Sequence, residues 1–419
     1  MAPRGGAGGI AWRSRGLIAS RMSDPFALTG LFPGGGTNTQ VTENTRHMVA
    51  VDATNPSVVF RNVRNGADGP AFTVKCGIWA APYSADPGPA PVEYKALTWS
   101  GGSDSGRRSP SIPAGGYLES DQVALAGLAA GNLLMTRQYE IFASAPSFWL
   151  GNEISIQGTG DETGSVGTAL TDTINSYVDY GGGVYYGYPS GGGTRQFSSP
   201  SLILGDTTTR KARICLLNDS IGMGSGEGAG GLFIGWPQRL LNDDYPWYLV
   251  GNQGYSLAAL LATDAERDRR LALLDLGGIT HLVVQVITND LSAGATDVTF
   301  LANVDALQAY LDTLPLKPRC VICTSTPRTN ASNNAKYGPD GALVQANRLA
   351  LNAAIRAQTK YAVLDAALYS EAAGDPNLWD TTGGKGTGDG IHPNAATHAA
   401  IAAGLASAPA TAFSVAHYL

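Results

Sequence analysis

At Lys211 the hydrophobic pattern of the chain changes its period. Beyond it, strand-like apolar runs at 212–217, 247–250, 281–287, 319–325 and 361–364 alternate with stretches at helical spacing, approximately 232–242, 257–274, 297–314, 341–359 and 394–405. Strands separated by helical connections of this length pair in parallel, so residues 211–419 are predicted to form a doubly wound, three-layer α/β/α domain on a sheet of about five parallel strands. In such sheets ligands bind where the carboxyl ends of the strands open into loops, and chemistry is to be sought there.

Residues 24–157 read differently. In Phe72-Thr73-Val74-Lys75-Cys76-Gly77-Ile78 large apolar residues alternate with small or polar ones, as a half-buried strand requires. Similar runs at 47–51, 57–63, 93–99, 133–142 and 148–156, separated by Gly, Pro, Asn and Asp, predict an all-β sandwich or jelly roll. Residues 158–210 form a glycine-rich connector with five tyrosines, Tyr177, Tyr180, Tyr185, Tyr186 and Tyr188. Their rings could stack on sugars, or pack a hairpin against a neighbouring sheet, which is the blander reading. Residues 1–23 carry Arg4, Arg13, Arg15 and Arg21 with no acid before Asp24, and their apolar stretch is too short for a signal-peptide core. They are expected to be an unstructured leader, with Met22 as an alternative start.

Charged residues are only 15% of the chain and Gly accounts for 54 of 419 positions, which points to many loops. A formal net charge of -6 provides no basic field for nucleic acid, and no apolar run reaches the length of a membrane-spanning helix. Four cysteines (Cys76, Cys215, Cys320, Cys323) are too few for a disulfide framework. Cys320 and Cys323 lie three apart in a strand-like run and so face opposite sides, which argues against a shared metal or redox site. Neither compartment nor oligomeric state is specified by any of these features.

The strand ends carry a consistent set of residue types. The first parallel strand runs into Asn218-Asp219-Ser220-Ile221, the second into Gly251-Asn252-Gln253-Gly254 and the third into Thr288-Asn289-Asp290; Asp389-Gly390-Ile391-His392 precedes the last helix. A serine nucleophile needs a base, the base needs an acid to hold its tautomer, and the developing oxyanion needs fixed N–H donors. In these four blocks, taken in order, the chain resembles the SGNH/GDSL hydrolases over about 205 residues. The resemblance implies Ser220 as nucleophile, Asp389 and His392 as its triad partners, and Ser220, Gly254 and Asn289 as oxyanion donors. It also implies that no cofactor or metal is needed. Two positions depart from the family pattern: Asn218 and Ile287 stand where it has glycine. Asparagine tolerates left-handed backbone, which would preserve a tight turn at Asn218; Ile287 has no such rationale. The region around Ile112-Pro113-Ala114-Gly115-Gly116 and Ser120-Asp121 also looks like the sandwich that precedes the hydrolase domain in some members.

Three rival motifs compete. Gly226-x-Gly228-x-x-Gly231 fits a dinucleotide fingerprint, but it starts well after the strand and no acid awaits a ribose at the next strand end. Gly254-Tyr255-Ser256-Leu257-Ala258 resembles a nucleophile elbow, yet Ser256 reads better as a helix N-cap. Asp290 could serve as the triad acid in place of Asp389. His47, His281 and His417 are read as structural, and His398 has no acidic companions at metal spacing. The reading is therefore a serine esterase acting on a small-molecule or polysaccharide ester, with O-acetylated carbohydrate favoured over lipid. Nucleic acid and membrane insertion are not expected. A carbohydrate-binding protein with a silent hydrolase domain is the competing class.

Overall fold

The computed structural model describes residues 12–20, 22–23, 40–64, 67–68, 72–81, 93–99, 110–113, 115–142, 152–153, 163–167, 200–226, 235–251, 254–330 and 341–418. The five connector tyrosines, Gly228 and Gly231 lie outside these residues.

The C-terminal part is built on a sheet whose order is Asn152–Glu153, Met22–Ser23, Trp247–Gly251, Ile214–Asn218, His281–Gln285, Arg319–Cys323, Ala362–Leu364. The five expected strands are all parallel, with the first in chain order placed between the second and third. Ile214–Asn218 and His281–Gln285 are buried along their whole length, as central strands covered on both faces must be. The single helix expected over 257–274 is instead three: Leu257–Leu260, Asp264–Leu271 and Leu273–Leu276. The break follows from Thr263, whose side chain accepts the Glu266 N–H and starts a new helix. Cys76, Cys215, Cys320 and Cys323 are buried free thiols. Among the described residues no helix is long and apolar enough to cross a membrane.

Besides the small antiparallel pair Val63–Arg64 with Ala67–Asp68, the described residues of the N-terminal part form two larger antiparallel sheets. One has four strands in the order Arg15–Leu17, Leu202–Asp206, Thr54–Arg61, Tyr117–Glu119; the other centres on Gln40–Met48, Leu133–Phe142 and Phe72–Ala81. Val58 and Phe60 of the first and Val74, Cys76 and Ile78 of the second share one buried cluster, which continues into Ile214, Leu216 and Val283 of the parallel sheet.

Three expectations need correction here. Residues 12–20 and 22–23 are not a loose leader: Arg15–Leu17 pairs with Leu202–Asp206, and Met22–Ser23 extends the parallel sheet beside Tyr248 and Leu249. The connector also contributes to the fold, because Leu202–Asp206 lies between Arg15–Leu17 and Thr54–Arg61. The strand within 148–156 joins the parallel sheet through Asn152 and Glu153 rather than the sandwich. Arg213 explains the first of these. It is 1% exposed, and its guanidinium donates to the carbonyls of Arg13 (2.9 Å), Ser14 (3.3 Å) and Arg15 (3.2 Å). A buried cation held by three successive carbonyls fixes the segment that supplies them. Gly16 permits the approach, since a Cβ there would collide with that guanidinium and with the Gly277 carbonyl.

Candidate active site

Ile214–Asn218 ends against a short helix, Ser220–Met223, that Asp219 caps. The Asp219 carboxylate accepts the N–H groups of Ile221 (2.9 Å) and Gly222 (3.3 Å), which sets Ser220 as the first helical residue at the carboxyl edge of the sheet. Ser220 is 8% exposed. The other Asp219 oxygen accepts the Thr288 N–H at 3.2 Å, joining the first strand end to the third. Asn218 does not adopt the left-handed backbone expected of it; among the described residues only Asn55, Asn242 and Lys317 do so without being glycine. It remains extended, and its side-chain amide donates to the Gly222 carbonyl at 2.9 Å, so a hydrogen bond closes the turn.

His392 lies on the loop before the helix Ala395–Gly404. Its Nε2 is 2.9 Å from Ser220 Oγ, and its Nδ1 is 2.5 Å from Asp389 Oδ2. Asp389 Oδ1 accepts the N–H groups of Ile391 and His392, both at 2.8 Å, which folds the carboxylate back onto the ring. Burial pushes the Asp389 carboxyl up, but the His392 N–H, its imidazole and the Ile391 N–H together hold it down to about 2. A carboxylate at Nδ1 retains that proton and leaves Nε2 as the acceptor facing the serine hydroxyl. Asp290, the rival acid, is engaged elsewhere: it accepts the N–H groups of Leu257 (2.7 Å) and Ala258 (3.0 Å).

Ile287 is the first residue of the helix Ile287–Ser292 and is buried in the core. Its position needs an inward apolar side chain and no glycine. Asn289, two residues on, donates from its amide to the Tyr255 carbonyl at 2.9 Å, which ties it to the residue after Gly254. One of its two amide hydrogens remains for another acceptor. Gly254 is exposed with φ +82° and open space where a Cβ would point. Ser256 caps the helix Leu257–Leu260, accepting the Ala259 N–H at 3.1 Å, as the sequence suggested.

Two residues that the sequence reading named take roles it did not give them. Gly226, at φ +96°, passes so close to the His392 loop that a Cβ would lie 2.8 Å from His392 Cβ and 2.7 Å from the Pro393 carbonyl. The glycine pattern did signal close backbone approach, but the approached group is an imidazole-bearing loop rather than a phosphate. Gly226→Ala is expected to displace His392 and lower kcat by about 10-fold or more, because small misplacements of reacting groups are costly; unchanged kcat would remove Gly226 from this role. His398 is the second. Its Nδ1 accepts the Trp236 N–H at 3.1 Å and so caps the neighbouring helix Trp236–Leu241 from Ala395–Gly404.

Burial lowers the His398 pKa to about 3 and, aided by the adjacent His417, that of His281 also to about 3. The unfolded chain takes up two protons as pH falls below about 6.5 that the folded chain refuses, so these histidines make stability fall with pH. Asp219 acts in the opposite sense. Burial, against the N–H groups of Gly222, Ile221 and Thr288, lifts its carboxyl to about 6, so the folded chain takes one proton that the unfolded chain releases. Two imidazoles that refuse a proton outweigh the one carboxyl that takes it, so on these groups stability falls as the pH falls towards 5. Melting temperature is expected to drop between neutral pH and pH 5, and a flat profile would contradict the burial of these imidazoles.

Among the described residues no group of three or more His, Cys, Asp or Glu is arranged to hold a metal. Ser220, His392 and Asp389 thus stand in hydrogen-bonded sequence at the carboxyl edge of the parallel sheet. Residues 219–400 match the model of the GDSL-like Lipase/Acylhydrolase family, and the chain is an ester hydrolase. No curated protein matches the chain. Similar solved structures include a family two carbohydrate esterase from Clostridium thermocellum, at 14% identity and TM-score 0.38, covering 94% of this chain and 98% of that one. A carbohydrate acetylesterase family member from Sinorhizobium meliloti is similar at 18% identity and TM-score 0.36, covering 48% of this chain and 99% of that one. A GDSL-like lipase from Bacteroides thetaiotaomicron is similar at 13% identity and TM-score 0.33, with 46% and 84% covered.

Proposed function

We propose that the protein is a serine esterase that uses Ser220, His392 and Asp389 as its triad and acts on O-acetyl groups of carbohydrate. The observation that carries this reading is the imidazole of His392 lying between Ser220 Oγ at 2.9 Å and Asp389 Oδ2 at 2.5 Å. Ser220 Oγ attacks the ester carbonyl carbon while His392 Nε2 takes its proton. Asp389 holds the imidazole and stabilises the imidazolium. The tetrahedral oxyanion is received by the N–H groups of Ser220 and Gly254 and by the remaining amide hydrogen of Asn289. Collapse expels the alcohol, protonated by His392, and water then releases the acid by the same steps in reverse roles. The carbohydrate part of the reading is supported by polar groups at the site: Asp389 is exposed and Asn289 is half-buried with one amide hydrogen uncommitted, as a hydroxyl-rich substrate can use.

The test compares wild type with Ser220→Ala on aryl esters from acetyl to dodecanoyl and on acetylated xylan and pectin. Serine-dependent activity confined to acetyl esters supports the reading. Preference for medium chains would replace it by a lipase or arylesterase, and absence of turnover on all of them would favour a silent hydrolase domain. Asn289→Ala is expected to reduce kcat by about 10² to 10³-fold with little change in KM. A change in KM alone would take Asn289 out of the oxyanion hole.

A further inference from the structure

A second cleft, of about 550 Å³, opens at the seam between the four-stranded sheet and the helical turn Leu273–Leu276. It lies at the opposite end of the parallel sheet from Ser220, beside Arg13 and Arg15, whose carbonyls Arg213 holds just before Ile214–Asn218 begins. Its volume falls in the range of small-ligand sites, about 300 to 1,000 Å³, and domain seams are where such sites concentrate.

The chemistry of its walls is specific. Arg15 donates to Glu119 Oε1 at 2.7 Å and to Ser57 Oγ at 2.5 Å, and Ser57 Oγ donates to the same carboxylate oxygen at 2.6 Å. Across the cleft Arg13 pairs with Asp275 at 3.0 Å. Leu204 and Leu276 add an apolar surface. Two aromatic residues line it: Tyr117, 46% exposed, and Trp12, whose ring already meets the Arg213 guanidinium at 4.9 Å and whose indole N–H has no acceptor among the described residues. Both guanidinium groups already face carboxylates, so an ionic ligand gains no unmatched charge and would have to break a pair. A neutral ligand rich in hydroxyls leaves both pairs intact and can use the spare lone pairs and N–H groups, while its C–H faces pack on the rings.

We propose that this cleft binds a segment of neutral saccharide and so holds a polymeric substrate at a point remote from the serine. The proposal deepens the carbohydrate reading given above and rests on it for its biological sense, but its measurement does not depend on catalysis. Binding of xylohexaose, cellohexaose and mannohexaose to Ser220→Ala protein is measured by calorimetry, with an oligogalacturonide as the charged comparison. At least one neutral hexasaccharide is expected to bind with a Kd of about 1 mM or tighter. Its affinity is expected to fall about 10-fold or more when Tyr117→Ala is added. Tyr117 is half-exposed, so this variant should fold, and its melting curve verifies that. Trp12→Phe, which keeps a ring and removes the N–H, supplies an independent variant expected to weaken the same ligand.

Three results would overturn the proposal: no binding of any neutral hexasaccharide, tighter binding of the oligogalacturonide, or affinity unchanged by both substitutions, which would place the sugar in the catalytic cleft. Aryl acetate hydrolysis by wild type tests the esterase reading separately, so a failure of one is distinguishable from a failure of the other.

Discussion

Ser220→Ala is expected to lower kcat on an aryl acetate by about 10⁴-fold or more, while Ser256→Ala keeps most of the activity. The two serines stand at successive strand ends and differ in what their oxygens do. Ser220 Oγ faces His392 Nε2, whereas Ser256 Oγ is committed to the Ala259 N–H at the start of a helix. Loss of a helix cap costs about 1 kcal/mol of stability, which a melting curve would register without a matching loss of turnover. Parallel kinetics on purified variants check this, and the reverse ranking would transfer the nucleophile to Ser256 and end the triad proposal.

Expressed alone, residues 206–419 are expected to aggregate rather than yield an active hydrolase. The fragment would lack Met22–Ser23, the strand that pairs with Tyr248 and Leu249. Arg213 would lose all three carbonyls that hold it together with the segment that covers it, so a contact that ties the start of the strand Ile214–Asn218 to the rest of the chain would be gone. Arg61 of Thr54–Arg61 also donates to the Arg269 carbonyl of the helix Asp264–Leu271, a contact that would be lost. Newly bared apolar surface from the shared core favours association. Size-exclusion chromatography and a thermal melt decide the matter: a monodisperse, cooperatively melting fragment would show that the β region is dispensable for folding.

The parallel sheet and the residues proposed for catalysis were legible because their signals are local. Continuous apolar runs such as 214–217 mark strands buried on both faces, and a serine or a His-Asp pair at the following turn can be read within a few residues. The N-terminal segment was not legible for the opposite reason. Arg13 and Arg15 suggested a loose basic leader, yet their partners Asp275, Glu119 and Asp206 lie far along the chain, where no local pattern reveals them. Asn218 and Ile287 show a third case, in which a motif departure is resolved by geometry: a side-chain amide closes one turn, and a helix start makes the other glycine unnecessary. The break at Thr263 was present in the sequence as Thr-x-x-Glu, but it was overridden by the longer apolar periodicity.

The carboxylate of Asp219 and the side chains of Asn289 and Asp290 stitch three separate strand ends into one piece. The first grips Thr288, and the other two grip the Tyr255 carbonyl and the Leu257 and Ala258 N–H groups. Ser220 and the groups proposed to receive the oxyanion therefore share one hydrogen-bonded mount. A disturbance at any one of these loops is passed to the other two, so the site behaves as a single mechanical unit whose working geometry persists or is lost as a whole.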